Sequence, residues 1–163
     1  MKIRYVVRAA VIAAVYAVLT IILAPISYGA FQCRISEGLC ILPCLTGSAV
    51  PGLFVGCMLS SILTGAPALD VVFGSLATLF AAVLTRVLAK KKISDWLLPL
   101  PTILVNALVI GILLHYVYKV QLHLILLILV TGAGEAVPCY LIGIPLLHIL
   151  RKKEELFSDE SGR

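Results

Sequence analysis

The chain has 163 residues, 61% of them apolar and only 13% charged, with a mean hydropathy of +1.12 and a formal charge of +5. Soluble domains run at roughly 45–50% apolar and 25% charged, so this composition excludes a water-soluble fold and points to an all-α integral membrane protein. A spanning helix takes about 20 apolar residues, so six crossings fill residues 1–153 as a single domain and leave no room for a soluble motor. The positive charge does not mark a nucleic-acid surface, because its placement has a simpler cause. Lys2, Arg4 and Arg8 precede the first apolar run, Arg86, Lys90, Lys91 and Lys92 close the fourth, and Arg151, Lys152 and Lys153 close the last. With those three places and the tail inside, only Arg34 and Lys119 fall outside. This positive-inside bias predicts that both termini are cytoplasmic.

Residues 6–24 form the first expected crossing. The run is longer than a signal-peptide core, and Tyr28 and Ala30 make a poor cleavage site, so the helix is expected to stay attached. Ala9, Ala13 and Ala17, beside Ala10 and Ala14, form a small-residue face on which another helix can pack closely. Residues 25–30, with Pro25 and Gly29, read as an outer loop.

The stretch 32–43, Gln-Cys-Arg-Ile-Ser-Glu-Gly-Leu-Cys-Ile-Leu-Pro, sets an arginine and a carboxylate into hydrocarbon. Ionisable groups there are costly, and helical spacing puts Arg34 and Glu37 on one side of a turn. They face a site, or they form a salt bridge that only fixes a loop. The second expected helix runs from residue 35 to 45 or 46, with Pro43 as a kink. Cys40 and Cys44 stand at i, i+4, but nothing supplies further metal ligands. The five cysteines, Cys33, Cys40, Cys44, Cys57 and Cys139, are read as small buried hydrophobes.

Gly47, Ser48 and Pro51 mark an inner turn, and a third helix continues to about Leu63 with Gly52-x-x-x-Gly56 as a close-packing face. No Gly-Lys-Ser/Thr triplet occurs, which excludes a phosphate loop. The fourth helix spans residues 70–89 and places Asp70 at the outer end, as a helix-start carboxylate or a site group. Trp96 is an interfacial anchor. The fifth helix, residues 97–116, puts Asn106 near mid-membrane with Thr102 nearby, to tie two helices together or to read a ligand. His115 and His123 flank the outer loop at Lys119 and lack a carboxylate or nucleophile in sequence to orient them. The last apolar run, residues 122–150, is too long for one crossing. Counting back from its inner end places the outer boundary near Thr131 and Glu135 in the outer third, with Pro138 available for a kink. Arg34, Glu37, Asp70 and Glu135 are thus expected to converge on a binding site open to the outside. The tail 154–163 is polar and carries no site.

Phe31-Gln32-Cys33-Arg34-Ile35-Ser36-Glu37, Asp70-Val71-Val72-Phe73-Gly74-Ser75-Leu76-Ala77-Thr78, Val105-Asn106-Ala107 and Gly132-x-Gly134-Glu135, in this order, resemble the QueT family of membrane proteins over nearly the whole chain. The resemblance implies a substrate-binding S component of an energy-coupling factor (ECF) transporter. Such a subunit serves uptake of queuosine precursors across the bacterial plasma membrane. It implies no cofactor and no catalysis in this chain. ATP and Mg would be used by two partner ATPases that dock through a transmembrane coupling protein, on which the S component topples. It suggests the coupling protein as the partner of the alanine face, with an intramolecular contact as the alternative. A 7-deazaguanine presents its N1–H and exocyclic amine to one carboxylate, Glu135 or Glu37. Asn106 or Gln32 would read the other edges, and Phe31, Tyr28, Phe73 or Tyr140 would stack on the ring. Arg34 would orient a carboxylate. An S component for another flat vitamin and a non-transport structural subunit remain as alternatives, whereas an intramembrane enzyme would need a metal cluster or an activated nucleophile.

Overall fold

A computed structural model describes residues 2–27, 34–91 and 93–152. Gln32, the expected stacking residues Tyr28 and Phe31, Cys33, Lys92, Lys153 and the tail 154–163 lie outside the described residues. The described chain is all-helical. Its helices are α1 (Lys2–Ile22), a short α2 (Ala24–Ser27), a 3-10 segment (Ile35–Cys44), α3 (Ala49–Leu63) and α4 (Ala68–Lys90). A 3-10 turn (Asp95–Leu97), α5 (Leu100–Tyr116), α6 (Leu124–Pro138), a π turn (Cys139–Gly143) and α7 (Ile144–Arg151) complete it. Four helical stretches are long and apolar enough to cross a membrane: Ile3–Ile22, Ala68–Lys90, Asp95–Tyr116 and Leu124–Arg151. Ile35–Cys44 and Ala49–Leu63 are apolar and shorter.

Neighbours in the bundle are α1 with α3, α3 with α4, α4 with α5, and α5 with α6. The 3-10 segment is the hub, touching α1, α3, α4, α6, the π turn and α7. An α-helix was expected here. Pro43 has no N–H to continue an i to i−4 ladder, and the segment opens with the Glu37 amide donating to the Arg34 carbonyl at 2.9 Å, three residues back. At about 2.0 Å per residue the ten residues reach some 20 Å, against about 15 Å for an α-helix. The tighter winding also rearranges the faces. Three residues per turn stack positions 34, 37, 40 and 43, and turn Cys44 away from Cys40. Cys40 joins a buried cluster with Tyr16, Leu53, Cys57 and Ala82, while Cys44 packs beside the cluster of Ile41, Leu98 and Leu147.

Glycines set the closest approaches. A Cβ on Gly52 would stand 2.8 Å from the Ala9 carbonyl oxygen, and one on Gly56 2.9 Å from that of Ala13. The Gly52-x-x-x-Gly56 face therefore packs on α1, which answers where the alanine stripe goes. Ala13 and Ala17 are buried under this contact, Ala9 is half-buried, and Ala10 and Ala14 are exposed. The expected docking face is narrowed to those two, because Ala13 and Ala17 already face this chain's own core.

Polar contacts pin each end. At one end the Arg86 guanidinium donates to the Pro43 carbonyl (3.2 Å), Tyr5 to the Gly47 carbonyl (3.1 Å) and Arg151 to Asp95 (2.6 Å). Trp96 and Tyr140 stack there at 5.9 Å. At the other end the Tyr118 hydroxyl donates to Asp70. The last apolar run is, as expected, longer than one crossing requires: it is helical from Leu124 to Arg151, 28 residues, changing from α to π winding after Pro138. Glu135 is eleven residues from the Leu124 end, roughly 16 Å along the axis. It lies near the middle of the bundle.

Candidate functional site

Arg34, Glu37, Asn106 and Glu135 come together in the interior. Glu37 and Glu135 are wholly inaccessible, and Arg34 and Asn106 are 3% and 1% exposed. Arg34 lies within electrostatic reach of both carboxylates, and the two carboxylates lie within reach of one another. Three elements supply the cluster: the 3-10 segment and the residue that caps it give Glu37 and Arg34 one turn apart, α5 gives Asn106, and α6 gives Glu135.

The two carboxylates are treated differently. Glu37 is fully engaged, because the Tyr16 hydroxyl donates to Oε1 at 2.5 Å and the Cys40 thiol donates to Oε2 at 2.6 Å. Tyr16 is in turn tied down. The Thr20 hydroxyl lies 2.9 Å from the Tyr16 carbonyl and 2.7 Å from the Ser36 hydroxyl. Neither oxygen of Glu135 has a hydrogen-bond partner of good geometry. The Asn106 amide lies beside it without closing such a bond, and Nδ2 of Asn106 and the hydroxyls of Thr102 and Thr131 are also unsatisfied. Each buried polar group left unpaired costs about 1–3 kcal/mol. Four such side chains on α5 and α6 can accept from and donate to the polar edge of a ligand.

The adjoining cleft, lined by Glu37, Cys40, Ile41, Pro99, Thr102 and Cys139, is too tight to admit a water-sized sphere. Of the four unpaired side chains Thr102 lines this cleft, and all four are buried, where a hydrogen bond is stronger than in water.

Other expected site residues are elsewhere. Asp70 is buried in the first turn of α4 and held by Tyr118. Phe73 is half-exposed on the outside of α4. Tyr140, five residues closer than Glu135 to the Arg151 end, stacks on Trp96 and donates to its carbonyl at 3.0 Å. The structure brings none of these three to the Glu135 cluster. Two members were missed. Tyr16 is a phenol inside an apolar span, and such a hydroxyl takes a partner when buried; that was the available signal. Cys40 was hidden by its apparent i, i+4 pairing with Cys44, which 3-10 winding dissolves. No group of three or more metal-ligating side chains occurs among the described residues.

A family model described as QueT transporter matches residues 6–152. No curated protein and no solved structure matches the chain significantly.

Proposed function

Because the chain belongs to the QueT transporter family, we propose that it is the S component of an ECF importer and binds a queuosine precursor, a 7-deazaguanine such as preQ1, preQ0 or queuine. A transporter with four long apolar helices is a multi-pass membrane protein. In the proposed arrangement the 3-10 segment and α3 complete six crossings, both termini are inside, and the membrane is the bacterial plasma membrane. The basic residues support that orientation: Arg4, Arg8, Arg86, Lys90, Lys91, Arg151 and Lys152 gather at one end, and Lys119 stands at the other. Energy would come from ATP and Mg at two partner ATPases, reached through the coupling protein.

The observation that carries the reading is the buried Glu135 carboxylate with both oxygens unmet, beside unmet Asn106, Thr102 and Thr131. A planar heterocycle with adjacent N–H donors satisfies these groups at once, and a charge-assisted pair of such bonds is strong. A bicyclic ring is larger than the cleft, so its entry parts the 3-10 segment from α5 and the π turn. In the family's transport cycle this opening would belong to the outward-facing state.

A thermal-shift screen of the purified protein against preQ1, preQ0, queuine, guanine and unrelated vitamins tests the reading. Stabilisation by the deazaguanines alone is expected. Stabilisation by a different flat vitamin would make the chain an S component for that compound, and no stabilisation by any ligand would favour a structural subunit.

A further inference from the structure

Two buried carboxylates, Glu37 and Glu135, share one cluster, and their partners tell them apart. A guanine-type ring presents in sequence along one edge an amine donor, an N1–H donor and a carbonyl acceptor. Its complement is two acceptors and then a donor. Glu135 Oε1 and Oε2 are two acceptors and Asn106 Nδ2, on the side chain beside them, is a donor, and all three atoms are buried without a good hydrogen bond. Glu37 cannot supply it without loss, since its oxygens already accept from Tyr16 and Cys40. We propose that Glu135 and Asn106 read the amine, N1–H and carbonyl edge of the ring, and that Glu37 is a positioning residue, clamped by Tyr16 and Cys40, that never contacts this edge. The assignment rests on the queuosine-precursor reading above and deepens it.

Each residue then has a distinct duty. Tyr16, from the first helix, and Cys40, one 3-10 turn after Glu37, fix the carboxylate from both sides. Fixed Glu37 acts on the guanidinium of Arg34 electrostatically, as Glu135 does. Removing a clamp loosens the site for every ring alike. Removing the Glu135 carboxylate alters only what is read at the donor edge, because a site built to hydrogen-bond a group discriminates strongly against analogues that lack it.

The test is calorimetric titration of the purified full chain with 7-deazaguanine and 7-deazahypoxanthine, which differ only in the exocyclic amine. The unsubstituted protein should prefer 7-deazaguanine by at least about tenfold. Glu135→Gln should reduce that preference to under about threefold, while Glu135→Asp, which keeps the carboxylate, should retain it at lower affinity. Tyr16→Phe, Cys40→Ala and Glu37→Gln should weaken both ligands by a common factor and leave the preference intact. Loss of the preference in Glu37→Gln or Tyr16→Phe, with retention in Glu135→Gln, overturns the assignment while leaving the proposed substrate class standing. Failure of the unsubstituted protein to bind either compound overturns the substrate class, and the assignment with it.

Discussion

Gly143 packs against the carbonyl of Gly38: a Cβ at 143 would stand 3.2 Å from that oxygen, and one at 38 would stand 2.9 Å from Ile142 Cβ and 3.2 Å from the Pro138 carbonyl. The 3-10 segment and the π turn meet there backbone to backbone, and the Cys139 thiol donates to the Glu37 carbonyl at 3.6 Å. This contact holds Glu37 and Glu135 in one cluster although they are far apart in sequence. Gly38→Ala should force the two turns apart, at a cost of about 1–3 kcal/mol. A clear fall in Tm in detergent, with weaker ligand binding, is expected; an unchanged Tm would remove this contact from the account.

A second glycine acts through Tyr16. A Cβ on Gly56 would meet Tyr16 Cβ at 2.9 Å and the Ala13 carbonyl oxygen at 2.9 Å, whereas one on Gly74 meets nothing nearer than 3.9 Å. Gly56→Ala should displace the phenol from Glu37 and lower both Tm and affinity, and Gly74→Ala should leave both within error. Thermal melts and titrations of the two variants check the contrast, which disappears if α1 and α3 do not pack in this register.

Much of this was legible in the sequence. Hydropathy and the spacing of Arg and Lys marked a helical membrane chain, and Gly52-x-x-x-Gly56 marked a tight helix contact. The high cost of Arg34, Glu37 and Glu135 in hydrocarbon marked residues that the fold gathers in one buried cluster. What the sequence left hidden depends on winding and packing. The 3-10 geometry of Ile35–Cys44 arises from tertiary contacts of Gly38 and Arg86 as much as from Pro43, so the Glu37–Cys40 stack was not foreseen. The start of α6 at Leu124 agrees with the apolar run read from residue 122, whereas the π winding after Pro138 goes beyond the kink expected there. Phe73 and Tyr140 were candidates because they are aromatic near polar residues, and only the packing shows one on the outside and the other on Trp96.

The divided alanine stripe separates stability from transport. Ala13→Leu should clash with α3, since Ala13 is buried and its carbonyl lies under Gly56, and overpacking of this kind costs about 1–3 kcal/mol. Ala10→Leu and Ala14→Leu add bulk to an exposed surface. These two variants should keep Tm and ligand affinity while whole-cell uptake and co-purification with the ECF module fall together. Loss of Tm in Ala10→Leu and Ala14→Leu, with uptake following, would make the whole stripe internal packing.

Orientation is checked by labelling from outside the cell. Lys119→Cys should react with a membrane-impermeant maleimide above the level of the unsubstituted chain, and Lys91→Cys should not. Reaction at position 91 alone would invert the topology and place the basic end outside.

The central claim is that a queuosine precursor is held through its donor edge by Glu135 in the middle of the bundle. A structure of the protein bound to preQ1 measures this directly. The account predicts the ring between the 3-10 segment, α5 and α6, with its amine and N1–H within hydrogen-bond distance of the two Glu135 oxygens and its carbonyl at Asn106. A ring bound instead at the outer loop between His115 and Ile125, with the Glu135 oxygens still unmet, would contradict it.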